Sequence, residues 1–280
     1  MPTVFMFPGQ GSQALGMGAE LFERYPGLVA EADSILGYSI KELCLENPDG
    51  KLHSTDYTQP ALYTVNALTF LATVEDEDIK PDFVIGHSLG EYDALFASGA
   101  FDFATGLKLV QKRGALMSAA KGGGMAAILG MDGNAVITAL AELGADGIDV
   151  ANFNSPNQTV ISGRKDDIET FAPQMKEKGA RRVVILRVSG AFHSRYMKPA
   201  ADEFEAFLDG FSFGRLEIPC IANCSAEPYT DESIALNLVS QIYSSVRWID
   251  TIKGLRAQGA DTFTEVGPGT VLSGLARQIK

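Results

Sequence analysis

The chain has 280 residues, 46% of them hydrophobic, and its 23 Lys and Arg against 35 Asp and Glu give a formal net charge of −12. That length and apolar content bury a substantial core, as one large domain or a domain carrying an insert, while the negative charge opposes nucleic acid and anionic membrane as partners. No stretch reaches the roughly 18 apolar residues of a membrane span, the start "MPTVFMFPGQGSQ" lacks a signal-peptide pattern, and Cys44, Cys220 and Cys224 match no zinc spacing. A cytoplasmic protein with reduced thiols and no metal site is expected.

In chain order, "TVFMFPG" (Thr3 to Gly9) and "PDFVIG" (Pro81 to Gly86) are short apolar runs closed by glycine, with helical material such as "PALYTVNALTFLATV" between them. Buried parallel strands joined by helices have this pattern. The acidic run Glu75 to Asp78 is expected as a solvated loop. Two helices follow, near Leu89 to Ser98 and Phe103 to Ala119, and then the glycines Gly122 to Gly124 mark a linker or hinge.

Strand "MAAILG", helix "GNAVITALAELG", strand "IDVANFNS", strand "QTVISG", helix "KDDIETFAPQMKEKG" and strand "RRVVILR" come next, with the "NSPN" turn between the middle strands. That order, βαββαβ, is the ferredoxin-like motif. The α/β pattern then resumes with a helix from about Ser194, the strand "EIPCIANC", the helix "NLVSQIYSSVRWIDTIKGLRAQG" and the strand "TFTEVG". The expected fold is α/β: a large α/β-hydrolase-like unit with a parallel sheet, residues 1–121 plus 190–280, carrying an inserted ferredoxin-like subdomain at residues 122–189.

Gly86-His87-Ser88-Leu89-Gly90 fits G-x-S-x-G between a strand and a helix, the context a nucleophile elbow requires. The sharp turn leaves no room for Cβ atoms beside a strained serine. It lifts the Ser88 hydroxyl to the carboxyl edge of the sheet and aims the Leu89 amide at a reacting carbonyl. The serine needs a base, and the chain has three histidines. His87 should point away across the turn and His53 lies in a polar stretch, which leaves His193, in "RVSGAFHSRYM" after the last inserted strand, facing a cleft between the two units.

In "FATGLKLVQKRGALMSAA", Arg113 sits three and four residues from Leu109, Val110, Leu116 and Met117, inside the apolar stripe of its helix. A guanidinium there is costly to bury unpaired. Its partner is either an internal Asp or Glu, or a substrate carboxylate held by two parallel hydrogen bonds.

The ordered motifs "FPGQGSQ", "TQPAL", "GHSLGE", "QKRG", "GGGMAA", "NSPNQTVISG", "GAFHS", "VRW" and "EVGPGTVLSGL" run over essentially the whole chain. The chain resembles the malonyl-CoA:acyl-carrier-protein transacylases, most of all the free-standing acyltransferases that serve polyketide synthases in trans. The resemblance implies that Ser88 carries the acyl group and His193 is its base and later its acid. It also implies that Gln10 joins the Leu89 amide in the oxyanion hole, Arg113 binds the malonyl carboxylate, and the main-chain carbonyl of Gln241 orients His193. Asn154 and His87 would lie at the substrate pocket, and Phe192 would press against the acyl α-carbon. Malonyl-CoA is the implied donor and the phosphopantetheine of an acyl carrier protein the acceptor, with no metal or redox cofactor. One departure is Asp93, where the family carries a small residue.

A thioester hydrolase of the same fold and a non-catalytic docking module are the competing readings. Ser88, His193, Gln10 and Arg113 together argue against the second, and a cation suited to dicarboxylic monoesters argues against the first. A carrier of acidic character would need a local basic surface, for which Lys176, Lys178, Arg181 and Arg182 are the densest candidates.

Overall fold

The computed structural model describes residues 1–280. β1 (Thr3–Phe7) is followed by the short helices α1 (Ala19–Arg24), α2 (Pro26–Leu36) and α3 (Ile40–Leu45) and the long α4 (Thr55–Glu77). β2 (Phe83–Gly86), α5 (Gly90–Ala97) and α6 (Phe103–Ala119) come next. Then follow β3 (Gly123–Leu129), α7 (Gly133–Glu142), β4 (Ile148–Ser155), β5 (Gln158–Arg164), α8 (Lys165–Phe171) and β6 (Arg182–Ile185). The chain closes with α9 (Lys198–Leu208), α10 (Ile234–Tyr243), α11 (Trp248–Ala257), β7 (Thr262–Glu265) and α12 (Val271–Ala276).

The first sheet is parallel, in the order β2-β1-β7. Its central strand is apolar throughout because both faces are covered: Phe5 and Phe7 join one buried cluster with α4, α5 and α6, while Val4 and Met6 join another with α11 and α12. The second sheet is antiparallel, in the order β4-β5-β3-β6, which is the ferredoxin-like arrangement. Along β3, Ala126 and Ile128 face their own helices, whereas Met125 and Ala127 join the large cluster that includes Phe7 and Phe192. The period of two thus seals the inserted unit and docks it in one stroke.

Four expectations change. Gly123 and Gly124 begin β3 rather than forming a linker; a Cβ on Gly123 would meet the Ala191 nitrogen at 2.0 Å, so the glycine serves a close approach. Glu75 and Asp76 end α4 rather than lying in a loop, and Arg24 bonds Asp76 at 2.7 Å and Glu75 at 2.7 Å, offsetting acid at a helix C-terminus. The run "EIPCIANC" forms no full strand; it meets β2 through one bridge, Val84 to Cys220. The long helix expected after Asn237 is two helices, α10 and α11, because Val246 leaves the helix to pair with β4: its nitrogen donates to the Ala151 carbonyl at 2.8 Å, and its carbonyl accepts from Phe153 at 2.9 Å.

Candidate active site

The turn from β2 into α5 is as tight as its glycines require. A Cβ on Gly86 would meet the Gly90 carbonyl at 1.9 Å, and one on Gly90 would meet the Phe7 carbonyl oxygen at 2.0 Å. Ser88 between them has φ 52, a left-handed conformation that serine rarely adopts and that marks a constrained site. Gly9 closes from the other side, where a Cβ would meet the His87 oxygen at 2.2 Å. The main-chain amides of Gln10 and Leu89 make no hydrogen bond within the chain. The Gln10 side chain donates to Thr55 Oγ1 at 3.2 Å.

His193 comes to the elbow from the loop after β6, also left-handed, at φ 55. Its Nε2 lies 2.7 Å from Ser88 Oγ. Its Nδ1 lies 2.9 Å from the Gln241 carbonyl and 3.1 Å from the Ser244 carbonyl. Two acceptors at Nδ1 fix the tautomer with the proton there, so Nε2 accepts from the serine hydroxyl. Both carbonyls are free because α10 ends where Val246 crosses to β4. Burial and the neighbouring Arg113 cation lower the His193 pKa to about 3.

Arg113 is 1% exposed. Its Nη1 donates to Gln59 Oε1 at 2.7 Å, and its Nη2 reaches Gln241 Oε1 at 2.9 Å and Ser88 Oγ at 3.2 Å, while Nε has no partner. Its acceptors are two amide oxygens and the serine hydroxyl, with no Asp or Glu among them, so the internal ion pair weighed from the sequence does not exist. Burial pulls the guanidinium pKa down against the opposing influence of Tyr92 and Glu91.

His87 does point away from Ser88: its Nε2 meets Asn154 Oδ1 at 2.8 Å, and its ring packs edge-on against Trp248. The pair ties the elbow to β4. Phe192 is buried beside His193, over Gly190, where a Cβ would meet its ring at 2.5 Å. A cleft of about 760 Å³, lined by Ile137, Asp149 and Val150 of the inserted unit and by His193, Tyr243 and Arg247, opens onto the histidine. The basic residues Lys176, Arg181 and Arg182 are exposed on the inserted unit, and Lys178 bonds Glu142 at 2.8 Å.

Sequence reasoning gave no role to Gln59, Asn223, Tyr229 or Glu91. Gln59 and Glu91 stand inside motifs already noted, "TQPAL" and "GHSLGE"; Asn223 and Tyr229 carry no local signal, since only the folded chain brings them to the elbow. Asp93 also finds a place. Its Oδ2 accepts from Asn66 Nδ2 at 2.9 Å, and the same Nδ2 donates to the Pro8 carbonyl at 3.0 Å, bracing the loop that carries Gln10.

Asp93 Oδ1 and Asn66 Oδ1 are both unpartnered, and burial holds the Asp93 pKa well above the ordinary carboxylate range. The unfolded chain releases this proton at lower pH than the folded chain, so stability falls as pH rises from the ordinary carboxylate value through the raised one. Asp93→Asn keeps the shape and removes the titration. Thermal melts should show the variant more stable than wild type at neutral and alkaline pH by about 1–3 kcal/mol, and equal to it in acid. A variant less stable at neutral pH would show that Asp93 is ionised.

Comparison with known proteins decides the family. Residues 4–278 match the acyl transferase domain family. The chain belongs to that family. This acyltransferase is 55% identical over 279 residues, 99% of its length and 96% of the other's, to the polyketide biosynthesis malonyl CoA-acyl carrier protein transacylase BaeC of Bacillus velezensis. The malonyl CoA-acyl carrier protein transacylase of Burkholderia pseudomallei, 47% identical, superposes with TM-score 0.96 over 100% of this chain and 98% of that one. The acyltransferase also matches, at 38% identity and TM-score 0.94 over 100% of this chain and 93% of that one, a malonyl-transacylase solved in complex with its type II PKS acyl-carrier protein.

Proposed function

We propose that the chain transfers a malonyl group from malonyl-CoA to the phosphopantetheine thiol of an acyl carrier protein through an ester on Ser88, in polyketide or fatty acid synthesis. Ser88 Oγ attacks the thioester carbonyl as its proton passes to His193 Nε2, and the Gln10 and Leu89 amides hold the oxyanion. The carbon–sulfur bond then breaks and CoA leaves with the proton from His193. In the second half His193 takes the proton of the carrier thiol, whose sulfur attacks the ester, and Ser88 recovers its hydroxyl. Every step is assigned to the chain's own groups, with no metal or redox cofactor. The cytoplasm, where CoA thioesters are made, is the proposed compartment.

The observation that carries this reading is Arg113: a buried guanidinium 3.2 Å from the serine hydroxyl, with no carboxylate partner of its own. An uncharged acyl chain has no use for such a group, and a malonyl carboxylate completes it. Intact-mass analysis tests the reading. Malonyl-CoA should add one malonyl group to the protein, and a carrier bearing phosphopantetheine should then remove it and gain the same mass. Release of free malonate in place of transfer would make the enzyme a hydrolase.

Phe192 is the proposed limit on branching at the acyl α-carbon. Phe192→Ser should raise the preference for methylmalonyl-CoA over malonyl-CoA, and because one methyl group in a pocket is worth only ~1–3 kcal/mol, by about 10- to 200-fold at most. Competitive loading with equal amounts of the two thioesters reads the ratio, and an unchanged ratio removes Phe192 from this role.

A further inference from the structure

Glu91 is fully buried on α5, three residues after the serine, and none of the steps above uses it. All its contacts are donors. Oε1 accepts from the Tyr229 hydroxyl at 2.7 Å and the Asn223 amide at 2.9 Å, and Oε2 accepts from Gln241 Nε2 at 2.5 Å. Two of these three donors also reach the elbow. Asn223 Oδ1 accepts from the Ser88 amide at 2.7 Å, and its Nδ2 donates to the Gly86 carbonyl at 2.7 Å. Gln241 Nε2 donates to the Ser88 carbonyl at 2.6 Å, and its Oε1 receives Arg113 Nη2 at 2.9 Å.

We propose that Glu91 is a positioning residue whose carboxylate, through Gln241 and Asn223, holds both the Arg113 guanidinium and the strained main chain of Ser88. This rests on the reading of Arg113 as the partner of the acyl carboxylate. A carboxylate is the one side-chain group that offers acceptors alone, and three donors converge on this one. An amide in its place puts an NH2 against either Gln241 Nε2 or the Asn223 N–H. The first conflict displaces the amide that holds Arg113, and the second displaces the side chain that holds the Ser88 amide. Glu91 is also the negative charge that faces Arg113 across a single amide, balancing the cation until an acyl carboxylate arrives.

Burial raises the Glu91 pKa to about 7, against the hydrogen bonds from Tyr229, Asn223 and Gln241 and the charge of Arg113. The other titratable groups around it are Arg113 of α6, Tyr92 of its own helix, and Cys220, Cys224 and Tyr229 of the segment beside β2. Burial pushes the thiols and phenols further up, and the guanidinium stays charged, so Glu91 alone of this group changes charge near neutrality. As pH falls through that value the carboxylate gains a proton and loses its acceptor-only character.

The test measures kcat/KM for Ser88 loading from malonyl-CoA and acetyl-CoA, from about pH 5.5 to 8.5, in wild type, Glu91→Gln and Arg113→Ala. Malonyl loading by wild type should fall on the acid side of neutrality, and its preference over acetyl should narrow there. Glu91→Gln should lose roughly 10- to 150-fold in malonyl loading, the value of a hydrogen bond to a buried charge, lose less in acetyl loading, and show no such acid limb. A folded Glu91→Gln enzyme with the wild-type preference and profile overturns the proposal. So does a flat wild-type profile, which needs no variant. If Arg113→Ala keeps the malonyl preference, the reading of Arg113 falls with it; if Arg113→Ala loses that preference while Glu91→Gln does not, Glu91 falls alone.

Discussion

His193→Ala should slow acylation of Ser88 by roughly 10²- to 10⁴-fold, the span general-base help supplies, and Ser88→Ala should abolish the acyl adduct. The geometry demands both. The hydroxyl stands 2.7 Å from Nε2, and the two carbonyls at Nδ1 leave Nε2 without its proton, ready to accept one. Those carbonyls do the work of an acidic third member, and being uncharged they raise the imidazole pKa too little to offset burial and the Arg113 cation. With that pKa at about 3, His193 stays neutral across the assay range and contributes no limb near neutrality. Rapid-quench loading from malonyl-CoA with mass detection measures the rate. An adduct that persists in Ser88→Ala, or maps to a cysteine, defeats the serine mechanism.

Arg113→Ala should abolish the preference for malonyl over acetyl. Truncating one partner of a buried, hydrogen-bonded charge pair costs about 2–5 kcal/mol, or roughly 30-fold to several thousand-fold in malonyl loading. Acetyl loading makes no use of the guanidinium, so it should hold or improve as the pocket loses a charge that burial disfavours. Competition between the two thioesters, read as mass of the acyl-enzyme, gives the ratio directly. Wild-type protein that loads acetyl as readily as malonyl would remove the carboxylate role of Arg113 altogether.

The parts of this site that were legible in the sequence are those with a local cause. A serine between two glycines after an apolar run reports a turn that admits no Cβ, and an arginine inside an apolar stripe reports a buried cation, because both constraints act within a few residues. The βαββαβ order was readable for the same reason: period-two and period-3.6 runs alternate, and Pro156 and Asn157 supply the turn between β4 and β5. The break between α10 and α11 was not readable. Apolar residues continue in helical rhythm through "SQIYSSVRWIDTI", and only the edge of β4, far away in the chain, draws Val246 out of it. Gln241 was placed by resemblance as a carbonyl; its side chain, which meets Arg113, Glu91 and the Ser88 carbonyl, had no sequence signal at all.

That break carries a lesson for anyone rebuilding the molecule from interchangeable parts. The four residues Ser244 to Arg247 lie outside the inserted segment in the chain, yet Val246 is stitched to Ala151 and Phe153 within it, and Ser244 holds the histidine. A graft that exchanged residues 122–189 with those of a relative would cut along the chain and miss this seam. The recipient would keep a linker shaped for another edge strand, and the catalytic imidazole would inherit the misfit. A graft boundary drawn by hydrogen bonds would carry Ser244 to Arg247 along with the insert.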